Sequence, residues 1–159
     1  MELKSLCRAL CSVVTASLFA LPACAAESIK VANAWVRAPA AGQTTLSAYV
    51  DLTSDRDAAL VAAGSPVASR AELHSSTVEG GVMRMRALAR IQLPAGQTVK
   101  LAPGGMHIML LDVKRPAKAG DKLPIVLSIQ PAGSGAGTSL TTVTLEAEVR
   151  AAAASPHGH

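Results

Sequence analysis

Apolar and polar positions alternate over short segments along most of the chain, beginning near residue 29. The segments are rich in Val, Leu, Ile and Thr, and Gly, Pro, Asn or Asp interrupts them about every ten residues, which is the pattern of β-strands. No segment of helical length carries an apolar stripe with a 3.6-residue period. The pattern predicts strands at residues 29–37, 44–52, 58–63, 67–75, 81–88, 97–102, 105–113, 123–130 and 140–149.

Glycine-containing segments separate several of these strands and predict hairpin turns. The four segments are Glu79-Gly80-Gly81, Pro94-Ala95-Gly96, Pro103-Gly104-Gly105 and Ala119-Gly120-Asp121. The Gly-rich stretch 131–137 is predicted as a loose connection between the last two strands. Eight or nine strands in about 125 residues predict a single all-β domain, either a β-sandwich or a Greek-key barrel.

The first 25 residues have the organisation of a secretory signal peptide. Lys4 and Arg8 precede a mostly apolar run, and Ala23-Cys24-Ala25 is an A-x-A pattern that predicts cleavage after Ala25. The run is shorter than the roughly 20 apolar residues of a membrane helix. We therefore expect an exported, periplasmic protein with no membrane span, a domain at 26–150 and a flexible tail at 151–159. The alternative is a lipobox at 21–24 with a lipid on Cys24.

Composition narrows the class of protein further. All three cysteines lie in the first 24 residues, so the mature chain has no disulfide and depends on an ordinary core. After cleavage the chain carries 13 basic and 10 acidic residues, too scattered for a nucleic-acid surface. Arg84 and Arg86 are interpreted as the solvated face of a strand. Trp35 is interpreted as a core residue, with a position beside a metal site as the alternative.

Residues 74–109 contain the candidate metal ligands of the chain, His74, His107 and several methionines. Side chains two positions apart in a strand share a face, so His107 and Met109 project together. Met83 and Met85 also share a face, and spacing does not choose between them. A hairpin at Gly80 would bring their strand beside His74.

The position of His74 follows from its own strand. It has the same parity as Arg70 and Glu72, which predicts an exposed sheet edge.

The donor types favour copper(I) over other metals. Imidazole and thioether without thiolate are soft, neutral ligands that suit Cu(I). Zinc prefers thiolate, imidazole and carboxylate, calcium and magnesium prefer oxygen, and iron–sulfur and blue-copper centres need a cysteine. Taken singly, each methionine has a simpler interpretation as core filler and each histidine as a surface residue. The prediction of a copper(I) site rests on the combination of two histidines and several methionines within one short stretch of an exported chain without thiols.

The stretch 72–113 resembles the periplasmic copper chaperones of the PCu(A)C family, whose motif is His-x10-Met-x21-His-x-Met. The segments 34–54 and 115–129 resemble the family as well. The resemblance implies that His74, Met85, His107 and Met109 bind one Cu(I). It also implies a cupredoxin-like β-sandwich and copper delivery to respiratory cytochrome oxidase, either to oxidase subunit II or through a Sco-type thiol protein.

Two features depart from the family pattern. Ser75 and Ser76 stand where many relatives have a further methionine, and the short tail adds His157 and His159 as a weak Cu(II) site at most.

Three other functions stay open on the sequence. A copper sequestering or resistance protein would use the same ligands, although a single site argues against bulk storage. A partner-binding β-sandwich without metal would use the same residues as core and surface. An enzyme is disfavoured because no acid–base pair stands out. We expect a monomer.

Overall fold

The computed structural model describes residues 28–133 and 140–151, and these residues form strands and turns without a helix. The all-β prediction is therefore confirmed. The strands are β1 (Ile29–Arg37), β2 (Leu46–Ser54), β3 (Ala58–Gly64), β4 (Ala68–Glu79), β5 (Val82–Ala87), β6 (Ile91–Leu93), β7 (Thr98–Leu101), β8 (Met106–Val113), β9 (Lys122–Pro131) and β10 (Thr141–Arg150).

The ten strands belong to one hydrogen-bonded sheet with the order β5-β4-β8-β2-β1-β10-β9-β3-β6, and β7 pairs with β2 beyond the end of β8. The first and last strands, β1 and β10, run parallel, and the other pairs are antiparallel. The sheet curls on itself, because β3 contacts β4 although five strands separate them in the sheet order.

The core fills the inside of this curled sheet. Along β9 the inward positions Leu123, Ile125, Leu127 and Ile129 are buried and alternate with more exposed ones, which is the period-2 pattern of a strand with one covered face. Nine of the ten strands contribute to a single buried cluster, and β5 alone adds no residue to it. Because the core lies on the inner face, side chains on the outer face of the sheet are available to form a binding site.

Each of the nine predicted strands is present, and the largest difference is that β4 continues to Glu79. The three-residue strand β6 was missed. Of the four predicted hairpin turns, only the one at Gly80 and Gly81 joins two strands that pair with each other, β4 and β5. Both glycines have positive φ, 60° and 79°, as a two-residue hairpin turn requires. The strands that flank the other three turns pair with different neighbours.

No helix of the described residues is long and apolar enough to cross a membrane. The predicted signal peptide with its Cys24 alternative, and the tail with His157 and His159, lie outside the described residues.

Candidate metal centre

The sheet register brings the predicted ligands to one face of three neighbouring strands. His74 on β4 pairs directly with His107 on β8, and directly paired residues point to the same side. Met109 follows His107 by one strand step on that side. On the outer strand β5, Met85 pairs with Ser76, which is one step from His74. All four side chains therefore project from the outer face of the sheet.

His107 is held with one ring nitrogen unpartnered. The residue is 3% exposed, and its Nδ1 lies 3.1 Å from the carbonyl oxygen of Gly105. Because a carbonyl only accepts, Nδ1 of the neutral ring carries the proton and Nε2 carries the lone pair. Nε2 is buried and has no hydrogen-bond partner among the described residues.

His74 is held in the complementary way. Its Nε2 lies 2.9 Å from Oε2 of Glu72, so Nε2 donates to the carboxylate and the lone pair is on Nδ1. Nδ1 is buried and also has no partner within the described part of the chain. The side chain is only 15% exposed. The prediction that His74 lies at an exposed sheet edge is thus wrong. The edge strand is β5, which pairs with β4 along its outer side.

Two buried lone pairs at paired positions are the pattern of a ligand site. A buried acceptor without a partner costs about 1–3 kcal/mol, and a cation would satisfy both nitrogens. The two ring centroids are 5.9 Å apart. Imidazole nitrogens lie about 2.0 Å from a bound transition metal, so rings that share one ion have centroids about 5–6 Å apart. The other nitrogen of each ring donates a hydrogen bond, Nε2 of His74 to the Glu72 carboxylate and Nδ1 of His107 to the Gly105 carbonyl. Metal-binding histidines usually have such hydrogen-bond partners.

The thioethers differ in exposure. Met109 is half-buried, whereas Met85 is 51% exposed on the edge strand. Met83 is exposed to a similar extent, 58%, but it pairs with Val78, two residues further from His74 along β4. The register therefore places Met85 nearer to the imidazole pair than Met83.

Aromatic side chains support the site from the β2 side. The Tyr49 ring centroid lies 6.3 Å from that of His107, and Trp35 packs on Tyr49 at 4.5 Å. Trp35 is half-buried on the outer face and is not a core residue; Val36 fills the core instead. The cause is an irregularity between Ala32 and Trp35, where Asn33 has a φ of 51°. Trp35 therefore lies on the face that carries the candidate site, two strands from His107, with Tyr49 between the two rings.

The candidate donors are two imidazoles and two thioethers, whereas zinc sites are built from thiolate, imidazole and carboxylate ligands. Among the described residues no three His, Cys, Asp or Glu side chains are grouped to hold a metal. The two lone-pair nitrogens and the thioethers of Met85 and Met109 are neutral, soft donors, which fit copper(I). Glu72 and Gly105, which orient the imidazoles, were not predicted as part of the site, although the shared parity of Glu72 and His74 was a usable signal.

Comparison with known proteins places the chain in a family. Residues 29–151 match the family model described as "Putative lipoprotein LpqE-like". The chain belongs to this LpqE-like, PCuAC-type family. A relative, "Putative lipoprotein Lxx21020" from Leifsonia xyli subsp. xyli, is 36% identical over 118 residues, which are 74% of this chain and 71% of the relative.

Solved PCuAC structures have the same cupredoxin-like β fold. The copper-bound PCuAC domain from PmoF2 is 27% identical, with a TM-score of 0.61 over 78% of this LpqE-like chain and 93% of that domain. The Cu(I) form of DR1885 from Deinococcus radiodurans is also 27% identical, with a TM-score of 0.54 over 79% of this chain and 76% of that protein. The fold and family predicted from the sequence are therefore confirmed.

Proposed function

We propose that this protein is an exported copper(I) chaperone that binds one Cu(I) through His74, Met85, His107 and Met109. The observation that carries the proposal is the pair of buried, unpartnered nitrogens, Nδ1 of His74 and Nε2 of His107. Copper-bound forms of PmoF2 and DR1885, which share the fold, support the choice of metal. The protein acts by binding and release and performs no catalysis.

The ligand chemistry suits delivery. Four neutral donors leave the bound ion with its single positive charge, and a thiolate-bearing acceptor can compete for it because thiolates are soft anionic ligands. We propose that the acceptor belongs to the assembly of respiratory cytochrome oxidase, either oxidase subunit II or a Sco-type thiol protein. Sequestration of copper would use the same site and is distinguished by whether bound copper transfers to such an acceptor.

A competition titration tests the binding step. The mature chain, residues 26–159, is titrated with Cu(I) against a coloured chelator, beside His107→Ala, Met85→Ala and Met83→Ala variants whose folding is checked by circular dichroism. We expect one equivalent of copper in the wild type, strong weakening in His107→Ala and Met85→Ala, and near wild-type binding in Met83→Ala. A wild type that does not compete with the chelator contradicts the proposal.

Export is part of the same proposal. The family and the Leifsonia relative both carry lipoprotein descriptions, which favours an exported chain. Mass spectrometry of the protein isolated from its cells tests the form. A mature N-terminus at Ala26 supports a free periplasmic protein, lipid on Cys24 supports the anchored alternative, and an intact N-terminus at Met1 contradicts export.

A further inference from the structure

A polar groove lies beside the candidate metal centre, on the side of β8 that faces β2 and β1. Its lining includes Met109, Ser47 and Arg37, together with residues of the segment 38–45 that joins β1 to β2. Its volume, about 520 Å³, is within the range of about 300–1,000 Å³ that small-molecule sites have. The groove can therefore admit a small organic molecule.

The strand register places a cation and the candidate ligand Met109 in one row across this groove. Met109 pairs with Ser47 on β2, and the pairing of Val36 with Ala48 puts Arg37 beside Ser47 on β1. The three residues share the outer face, and β1 and β8 are two strand spacings apart, about 10 Å. One small molecule can therefore contact both Arg37 and Met109.

The guanidinium of Arg37 has no carboxylate partner among the described residues. The side chain is exposed, and its Cζ lies 5.8 Å from the centroid of the Tyr49 ring, a contact that does not use its N–H donors. Its neighbour on β10 is a second cation, Arg150, which is itself paired with Glu148 at 3.2 Å. A carboxylate is the complement of such an unpaired guanidinium, because the two groups form parallel hydrogen bonds.

We propose that this groove admits a small thiol that carries a carboxylate, and that Arg37 selects this thiol as an acceptor of copper(I). The inference rests on the proposed function, to which it adds a low-molecular-weight acceptor. The carboxylate binds Arg37, and the sulfur reaches the copper ion beside Met109. The sulfur follows from the metal, because thiolates are soft anionic ligands that compete with thioethers for copper(I).

The transfer step exchanges one sulfur ligand for another. A bond forms between the thiol sulfur and Cu(I) as the bond from the Met109 sulfur breaks. The thiol proton passes to solvent, and copper stays in the +1 state throughout.

Copper transfer from residues 26–159 loaded with Cu(I) tests the proposal. The acceptors are 3-mercaptopropionate, which carries a carboxylate, 2-mercaptoethanol, which is neutral, and cysteamine, which carries an ammonium group. Transfer is followed by the ultraviolet absorption of the copper–thiolate product. Each thiol is compared with itself across the protein variants, so that differences in thiol acidity cancel.

The variants are Arg37→Gln, Arg37→Lys and Arg70→Gln. Arg70 is the matched control, because it is exposed on the same face, pairs with Leu111 of β8 and does not line the groove. All variants should keep wild-type Cu(I) affinity in the competition titration, because neither arginine is a candidate ligand.

Arg37→Gln should slow transfer to 3-mercaptopropionate about three- to fivefold, the size expected of an exposed ion pair, and should leave transfer to 2-mercaptoethanol unchanged. Transfer to cysteamine should become faster. Arg37→Lys should lose less than Arg37→Gln, and Arg70→Gln should match the wild type with all three thiols. An equal effect of Arg37→Gln on the three thiols, or an equal loss in Arg70→Gln, would overturn the inference.

Binding to the copper-free protein separates this inference from the proposed function. In two-dimensional amide NMR spectra, millimolar 3-mercaptopropionate should shift the signals of Gln43 and Thr44, which line the groove, in the wild type and not in Arg37→Gln. A wild type without these shifts would overturn the groove site even if copper is bound and released. Absence of Cu(I) binding by the wild type would instead overturn the proposed function.

Discussion

Substitution of Glu72 tests whether its hydrogen bond to His74 holds the imidazole in the orientation and tautomer that bind metal. Oε2 of Glu72 accepts a hydrogen bond from Nε2 of His74 at 2.9 Å, which fixes the tautomer that leaves the lone pair on Nδ1. In Glu72→Ala the ring loses that partner and gains freedom to rotate and to exchange tautomers. Metal binding must then fix the ring again, so the copper affinity should fall.

The size of the effect follows from the position of Glu72. Loss of an outer partner of a histidine ligand typically weakens metal binding by about 10–100-fold, equivalent to about 1.4–2.7 kcal/mol. The Glu72 side chain is 41% exposed, so water replaces part of the lost interaction and we expect a loss near tenfold. The free energy of unfolding should change by less than about 1 kcal/mol, because the pair is partly exposed.

Competitive Cu(I) titration of Glu72→Ala, Glu72→Gln and Glu148→Ala measures this directly. The Gln amide oxygen still accepts from His74, so its loss should be smaller. Glu148 is the matched control: its carboxylate is 52% exposed, on the same sheet face, and pairs with Arg150 at 3.2 Å away from the imidazoles. Wild-type affinity in Glu72→Ala, or an equal loss in Glu148→Ala, would refute this account of His74.

Three further predictions concern stability and pH. Leu60 is fully buried, so Leu60→Ala should lower the free energy of unfolding by about 2–5 kcal/mol in urea titration, and a change below 1 kcal/mol would contradict the core assignment. Gly80 has a φ of 60°, so Gly80→Ala should cost about 1–2 kcal/mol by the same measurement; an unchanged midpoint would contradict the turn. Copper(I) affinity should fall on acidification because protons compete with copper for the two imidazole lone pairs. Competitive titrations at two pH values measure this, and an affinity that does not change would contradict binding through the imidazoles.

The sequence predicted the strands well because most of them have one buried face and alternate clearly. β6 was missed because Ile91–Leu93 is too short to show a period. The turn glycines at 96, 104 and 120 were located, and each has positive φ. Turn chemistry does not determine which strands pair, however, and the curled sheet gives those strands other neighbours.

The site was predicted less completely than the strands. Same-face placement of His107 and Met109 follows from strand geometry alone. The direct pairing of His74 with His107 depends on the β4–β8 register, which no local pattern encodes. Trp35 was misplaced because the positive φ of Asn33 shifts the alternation of β1, and a single sequence gives no signal for that irregularity.

X-ray absorption spectroscopy at the copper edge, on residues 26–159 loaded with Cu(I), tests the central claim most directly. The account predicts a first shell of two nitrogens and two sulfurs. One sulfur should be lost in Met85→Ala and none in Met83→Ala, although the two methionines are exposed to similar extents on the same face of β5. A shell of nitrogen and oxygen only, or an equal change in both variants, would contradict a copper(I) site built from His74, Met85, His107 and Met109.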